Sequence, residues 1–102
     1  MDMHKLMKQA QKMQQQAQEV QRSLANQTVE GTAGGGAVRV VASGSQEIRS
    51  LHIDPEALSG GDAELLEDLI LAAVNDALSR SRALAQEAMA RVTGQLQMPP
   101  LG

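Results

Sequence analysis

Residues 2–27 carry a seven-residue repeat that a chain of this size has little means to bury. Met3, Ala10, Ala17 and Leu24 recur every seven residues, and Leu6, Met13 and Val20 form a second row between them. Together the two rows make the a/d seam of a helix over three heptads. Gln fills much of the rest, and no Gly or Pro interrupts. A helix of this length extends roughly 36 Å, so most of it projects from a small body. A projecting apolar seam calls for a partner helix.

The rest of the chain offers only a lean core. Its 102 residues include no Phe, Tyr or Trp, and many of the apolar residues are Ala. Short chains bury a smaller fraction of their surface, so pooling apolar faces in an oligomer is expected. The missing aromatics also count against base-stacking modes of nucleic-acid binding, which need a flat π-face. There is no cysteine, which excludes disulfides, thiolate chemistry and zinc–sulfur sites. The longest uncharged apolar run, Leu69–Val74, is far too short to span a bilayer. The opening MDMHKLMKQAQ lacks the apolar centre of a signal peptide. The expectation is a soluble cytoplasmic protein with no membrane partner.

Residues 28–53 read as three strands, TVEGTA, AVRVVAS and EIRSLHI, with a turn at Ser43-Gly44-Ser45 before the third. Leu51 and Ile53 share one face of that strand, while Ile48 falls out of phase, as a local bulge would make it. Asp54 and Pro55 open a helical turn that Ser59-Gly60-Gly61 breaks. Asp62 then caps a second long helix, with Glu64, Glu67 and Asp68 at the positive end of its dipole. This helix is expected to end near Thr93, before Gly94. Its first half is apolar on more than one face, through Leu65, Leu66, Leu69, Ile70, Ala73, Val74 and Ala77. These elements make one α+β domain over residues 1–93, followed by a flexible tail over 94–102.

The glycine-rich stretch VEGTAGGGAVRV, residues 29–40, invites a phosphate-loop reading. A dinucleotide fingerprint needs a third glycine where Arg39 stands, and a Walker loop needs Lys where Ala37 stands. Both motifs also need a helix next, and here a strand follows. The glycines instead give the chain positive φ between two strands. His4 and His52 lack metal-motif spacing, and Ser43, Ser45 and Ser59 have no neighbouring base. Glu67, Asp68, Asn75 and Asp76 read as dispersed, solvent-facing groups rather than a metal site. No catalytic, cofactor-binding or metal residue is expected, and no small-molecule substrate.

Three motifs occur in order: V-E-G-x-A-G-G-G-x-V-x-V at 29–40, L-x-I-D-P at 51–55, and L-E-D-L-I-x-A-A-x-N-D-A at 66–77. Ahead of them lies MKQAQKMQ at 7–14, and Pro-Pro stands near the end. The combination resembles the YbaB/EbfC family of bacterial nucleoid-associated proteins over about residues 3–100. The resemblance implies an α-β-β-β-α protomer, with two long helices projecting from a small antiparallel sheet, and a tweezer-like homodimer. It also implies double-stranded DNA binding in the nucleoid, in an architectural or gene-regulatory role and without catalysis. Relatives often carry more lysine than this second helix, which has only Arg80, Arg82 and Arg91.

The net charge is −3, yet it is unevenly spread. Residues 1–27 set Lys5, Lys8, Lys12 and Arg22 against Asp2 and Glu19, for +2; residues 79–102 set Arg80, Arg82 and Arg91 against Glu87, also +2. Residues 28–61 carry −2, from Arg39 and Arg49 against Glu30, Glu47, Asp54 and Glu56. Residues 62–78 carry −5 from Asp62, Glu64, Glu67, Asp68 and Asp76. If the two helices pair antiparallel beyond the sheet, their basic ends meet at one projecting tip. Lys5, Lys8 and Lys12 share a face opposite the seam. Periodicity alone makes that face a solvated one; the resemblance makes it, with Arg80, Arg82 and Arg91, the DNA contact. Weak, salt-sensitive binding is expected. The competing reading is a protein–protein adaptor that uses the apolar helices and the acidic body.

Overall fold

The structure, a computed structural model, describes residues 2–95. The first helix, α1, spans Met3–Ala25, and its N-cap Asp2 accepts a hydrogen bond from the His4 N–H at 3.1 Å. Three strands follow: β1 at Thr28–Ala33, β2 at Val38–Ser43 and β3 at Ile48–Ile53. They form one antiparallel sheet in the order β1-β2-β3. A short helix, α2, covers Pro55–Ser59, and the long α3 runs Ala63–Gln95. This is the expected α-β-β-β-α arrangement of the α+β class.

The glycine run lies in the turn between β1 and β2. Gly34, Gly35 and Gly36 adopt φ of 65°, 68° and 95°, a region costly for residues with a Cβ. The glycine-rich stretch is therefore a hairpin turn. The bulge also appears in β3: Val41 faces Ser50 and Ala42 faces Ile48, so Arg49 is the extra residue. That insertion returns Ile48 to the face that Leu51 and Ile53 occupy.

Burial follows from how α3 lies on the sheet. It crosses β1 and β2, and Val38, Val40 and Ala42 of β2 are buried against Ala73 and Ala77. Full burial of each valine contributes roughly 1.5–3 kcal/mol. The helix approaches so closely because β1 presents no side chain at Gly31. A Cβ there would strike Ala77 N and sit 2.5 Å from Ala73 O. A second tie links helix and strand: the Asp76 carboxylate accepts from the Thr32 N–H at 3.1 Å. Asp76 is therefore not the dispersed, solvent-facing group that its sequence context indicates.

Helix ends differ from expectation in two places. Asp54 holds the N-cap position of α2 but makes no side-chain capping bond; Pro55 supplies the first helical residue. Asp62 does cap α3, accepting from the Leu65 N–H at 3.1 Å. The helix then continues through Gly94 to Gln95 rather than stopping at the glycine. A glycine inside a helix costs about 1 kcal/mol against alanine and does not by itself end it. The tail expected after 93 falls, from residue 96 on, outside the described residues.

The outline is long and thin, 69 × 29 × 16 Å, with a radius of gyration of 19.9 Å. A compact domain of this size would have about 13 Å. The excess comes from the two long helices: α3 has 33 residues and is about 50 Å long, and residues 3–15 of α1 are exposed throughout.

Gly31 and Gly35 should respond differently to substitution. Gly31→Ala should destabilise by about 3 kcal/mol, because the methyl meets helix backbone with no flexible neighbour to yield. A Cβ at Gly35 meets nothing within 4 Å, so Gly35→Val should cost about 1–3 kcal/mol, mainly from positive φ. Urea unfolding of the two variants reads the difference.

Candidate nucleic-acid interface

The arm formed by α1 presents two opposite surfaces. Successive helical residues turn by about 100°, so Lys5, Lys8 and Lys12 fall within an arc of about 60°. The seam residues Met3, Leu6, Ala10 and Met13 lie on the far side. All three lysines are exposed and make no ion pair among the described residues. The seam gains its cover only near the sheet, where Ala17 and Val20 are half-buried and Leu24 is buried. Further out, Leu6 and Met13 remain 47% and 48% exposed.

The arginines of α3 do not join this cluster. Ser81, which separates Arg80 from Arg82, is buried and donates to Ser43 O at 2.6 Å. That bond places both arginines beside the end of β2, at the level of the sheet. Lys12 lies 12 residues out from the sheet-bound Leu24, about 18 Å along α1. Arg80 is also engaged: its Nε donates to Asp76 Oδ1 at 3.2 Å and Oδ2 at 3.3 Å. Arg82 makes no ion pair among the described residues. Arg91 lines the groove between α1 and α3 with Val20, Ser23 and Val92, and sits 3.8 Å from Glu87. The single basic tip expected from the charge segments is thus not formed. The first five turns of α3 are spent on the sheet, so its arginines begin where the arm begins.

Two polar devices that composition does not reveal hold this geometry. The Thr32 N–H and then the Arg80 guanidinium hold the Asp76 carboxyl below its ordinary value of 3.8, while partial burial opposes them. The Asp76–Arg80 spacing of four is visible in the sequence; the Thr32 contact is not. Arg49, at the bulge, donates from Nη2 to Ala25 O at 3.1 Å and from Nη1 to Glu47 Oε1 at 3.3 Å. Its alternating-strand position gave no sign of that reach.

Among the described residues no helix is long and apolar enough to cross a membrane. No group of three or more His, Cys, Asp or Glu side chains there could hold a metal ion.

An elongated lysine-edged helix joined to a three-stranded sheet is a specific arrangement, and comparison with known proteins agrees with it. The profile of the YbaB/EbfC DNA-binding family matches residues 1–96. The chain belongs to the YbaB/EbfC DNA-binding family. A nucleoid-associated protein of Pelotomaculum thermopropionicum is 54% identical over 100 residues, which is 98% of this chain and 95% of that protein. Another, from Chloroflexus aurantiacus, is 47% identical over 97 residues, covering 95% of this chain and 97% of its own length. The crystal structure of uncharacterized protein HP0035 from Helicobacter pylori shares the fold seen here. Its TM-score is 0.76 at 23% identity, over 95% of this chain and 99% of that one.

The Asp76 contacts predict a pH dependence. A carboxyl with a lowered folded pKa contributes stability that is complete above its unfolded value and is lost as pH falls through the folded value. Asp76→Asn should lower the thermal midpoint at neutral pH. It should also flatten the decline of that midpoint below about pH 4. A pH series of melting curves for both proteins measures this.

Proposed function

We propose that this protein is a homodimeric nucleoid-associated protein of the bacterial cytoplasm that binds double-stranded DNA through its basic arms. Its role is architectural or gene-regulatory rather than catalytic. The observation that carries the reading is the arm itself: three lysines with no ion pair among the described residues, on one face of a helix whose residues 3–15 are exposed throughout. Membership of a DNA-binding family supports DNA as the partner. Lys5, Lys8 and Lys12 are the principal phosphate contacts. Arg82 is free to join them from the base of the arm, Arg91 from the inter-helix groove, and Arg80 only by sharing its guanidinium with Asp76.

The dimer is proposed from an uncovered apolar face. α3 lies over β1 and β2 and leaves β3 open. Ile48 and Leu51 stay 40% and 45% exposed, although they sit on the core side of the sheet beside Ala42 and Val40. A second apolar stripe on α3, through Leu71 and Leu78, turns about 130° away from Ala73 and Ala77. Leu71 is 60% exposed. Apolar surface of this extent next to a core favours a second copy of the chain, which brings the same face. Sedimentation at low micromolar concentration should give twice the 10.8 kDa chain mass. A well-folded monomer there would refute the dimer.

DNA binding should be steeply salt-dependent, because each phosphate contact releases counterions. With about four to eight basic side chains engaged per dimer, log K should fall with log salt with a slope near −4 to −7. Replacing Lys5, Lys8 and Lys12 by Ala should weaken binding on unrelated duplexes alike and flatten the slope. It should leave the dimer intact. Gel-shift titration at two salt concentrations checks both, and unchanged affinity and slope in the triple variant would remove the lysine face from the interface.

A further inference from the structure

Where α1 meets the sheet, the turn between β2 and β3 grips its last residues. The Gly44 N–H donates to Leu24 O and to Gln27 O, each at 2.9 Å. Leu24, the buried side chain of α1, lies against Gly44 so closely that a Cβ there would be 2.7 Å from Leu24 O and 2.9 Å from Leu24 Cδ2. Gly44 is not at positive φ, so contact with α1 rather than backbone conformation demands the glycine. On the other side Arg49, the extra residue of the bulge, brings Nη2 to Ala25 O at 3.1 Å. The terminal carbonyls of a helix lack partners within it and carry the negative end of its dipole. Here a backbone N–H and a guanidinium meet them, both from the same stretch of sheet.

A small angular freedom at this end becomes a large displacement at the other. Lys5 is 20 residues from Ala25, about 30 Å along the helix, so a tilt of about 10° moves it by about 5 Å. That exceeds the reach of a hydrogen bond. Residues 3–15 are exposed throughout, so the direction of the arm is decided at its base, where α1 meets α3 and the β2–β3 turn.

We propose that the β2–β3 turn is a collar that sets the angle of α1, and that Gly44 and Arg49 are positioning residues for DNA binding without themselves touching DNA. Leu24 seated on Gly44 fixes the distance of the arm from the sheet. The Arg49 guanidinium on Ala25 O limits its swing. The positioning role rests on the DNA-binding reading above; the collar itself does not.

The absence of cysteine makes the test direct. Spin labels are placed through Gln11→Cys on the arm and Ser50→Cys on β3, both exposed positions. Labelled chains are diluted in excess unlabelled protein, so that only the distance within one chain is read. The otherwise unchanged chain should give one narrow distance. Arg49→Met, which keeps an unbranched stem and loses the guanidinium, should broaden it, and Arg49→Lys should restore part of the sharpness. Gly44→Ala should move the mean by about 5 Å, the displacement of a wedge under a long helix. Each loosened or tilted variant should bind duplex DNA roughly three- to tenfold more weakly, with a salt slope close to that of the unchanged chain because no phosphate contact is removed.

Distances identical to those of the unchanged chain in both Arg49→Met and Gly44→Ala would overturn the collar. An unchanged distance with a slope flattened by about one contact per protomer would make Arg49 a phosphate ligand instead. If Gly44→Ala fails to fold, Arg49→Met with its lysine rescue decides alone. A parent protein that does not bind duplex DNA overturns the function and the positioning role with it, while the spin distances still judge the collar.

Discussion

The fold depends on how near α3 comes to β1. Gly31 lets the helix backbone reach the strand backbone, and the small side chains of Ala73 and Ala77 keep it there. A core built on such close approach needs no large side chains, which is how a chain without a single aromatic residue closes one. The same closeness lets the Asp76 carboxylate reach the Thr32 N–H and Ser81 Oγ reach Ser43 O. Each polar tie therefore depends on a contact between small residues. The result is a body only 16 Å in its shortest dimension.

A thin body has consequences for what remains uncovered. One helix covers two strands and cannot also cover the third, so the inner face of β3 is left with Ile48 and Leu51 in solvent. Most of α1 is likewise exposed. The surplus of apolar surface thus has two locations, one flat beside the sheet and one along the arm. The flat one continues an existing core, whereas the seam on the arm backs a row of lysines. This division suits a molecule whose body associates and whose arms contact something charged.

Much of this was legible from residues alone. The heptads fixed α1 to within two residues at its ends, the glycine run without a following helix marked a hairpin, and the phase of Ile48 against Leu51 announced the bulge. The DNA-binding family was readable from three ordered motifs. What stayed hidden was the distance between elements. Charge segments put Arg80 and Arg82 in the same basic group as the lysines, because sequence gives no measure of how much of α3 lies on the sheet. Asp76 looked solvated because its partner is 44 residues away in β1. Gly94 was read as a stop because a terminal glycine in a helical pattern usually is one, yet a helix can absorb it at modest cost.

The separation of charge along the molecule changes how its net charge should be understood. The acidic start of α3, from Asp62 to Asp68, sits on the body, while Lys5 and Lys8 lie well over 20 Å out along the arm. At physiological ionic strength fields between exposed charges decay over about 8 Å. A phosphate approaching the arm therefore meets a cationic helix and is blind to the −3 of the whole chain. Near 0.01 M salt the decay length grows to about 30 Å, and the acidic body comes into range. Diluting the salt then strengthens attraction at the arm and repulsion from the body together. For DNA held by the arm as proposed, the plot of log affinity against log salt should bend toward a plateau at its dilute end instead of remaining straight.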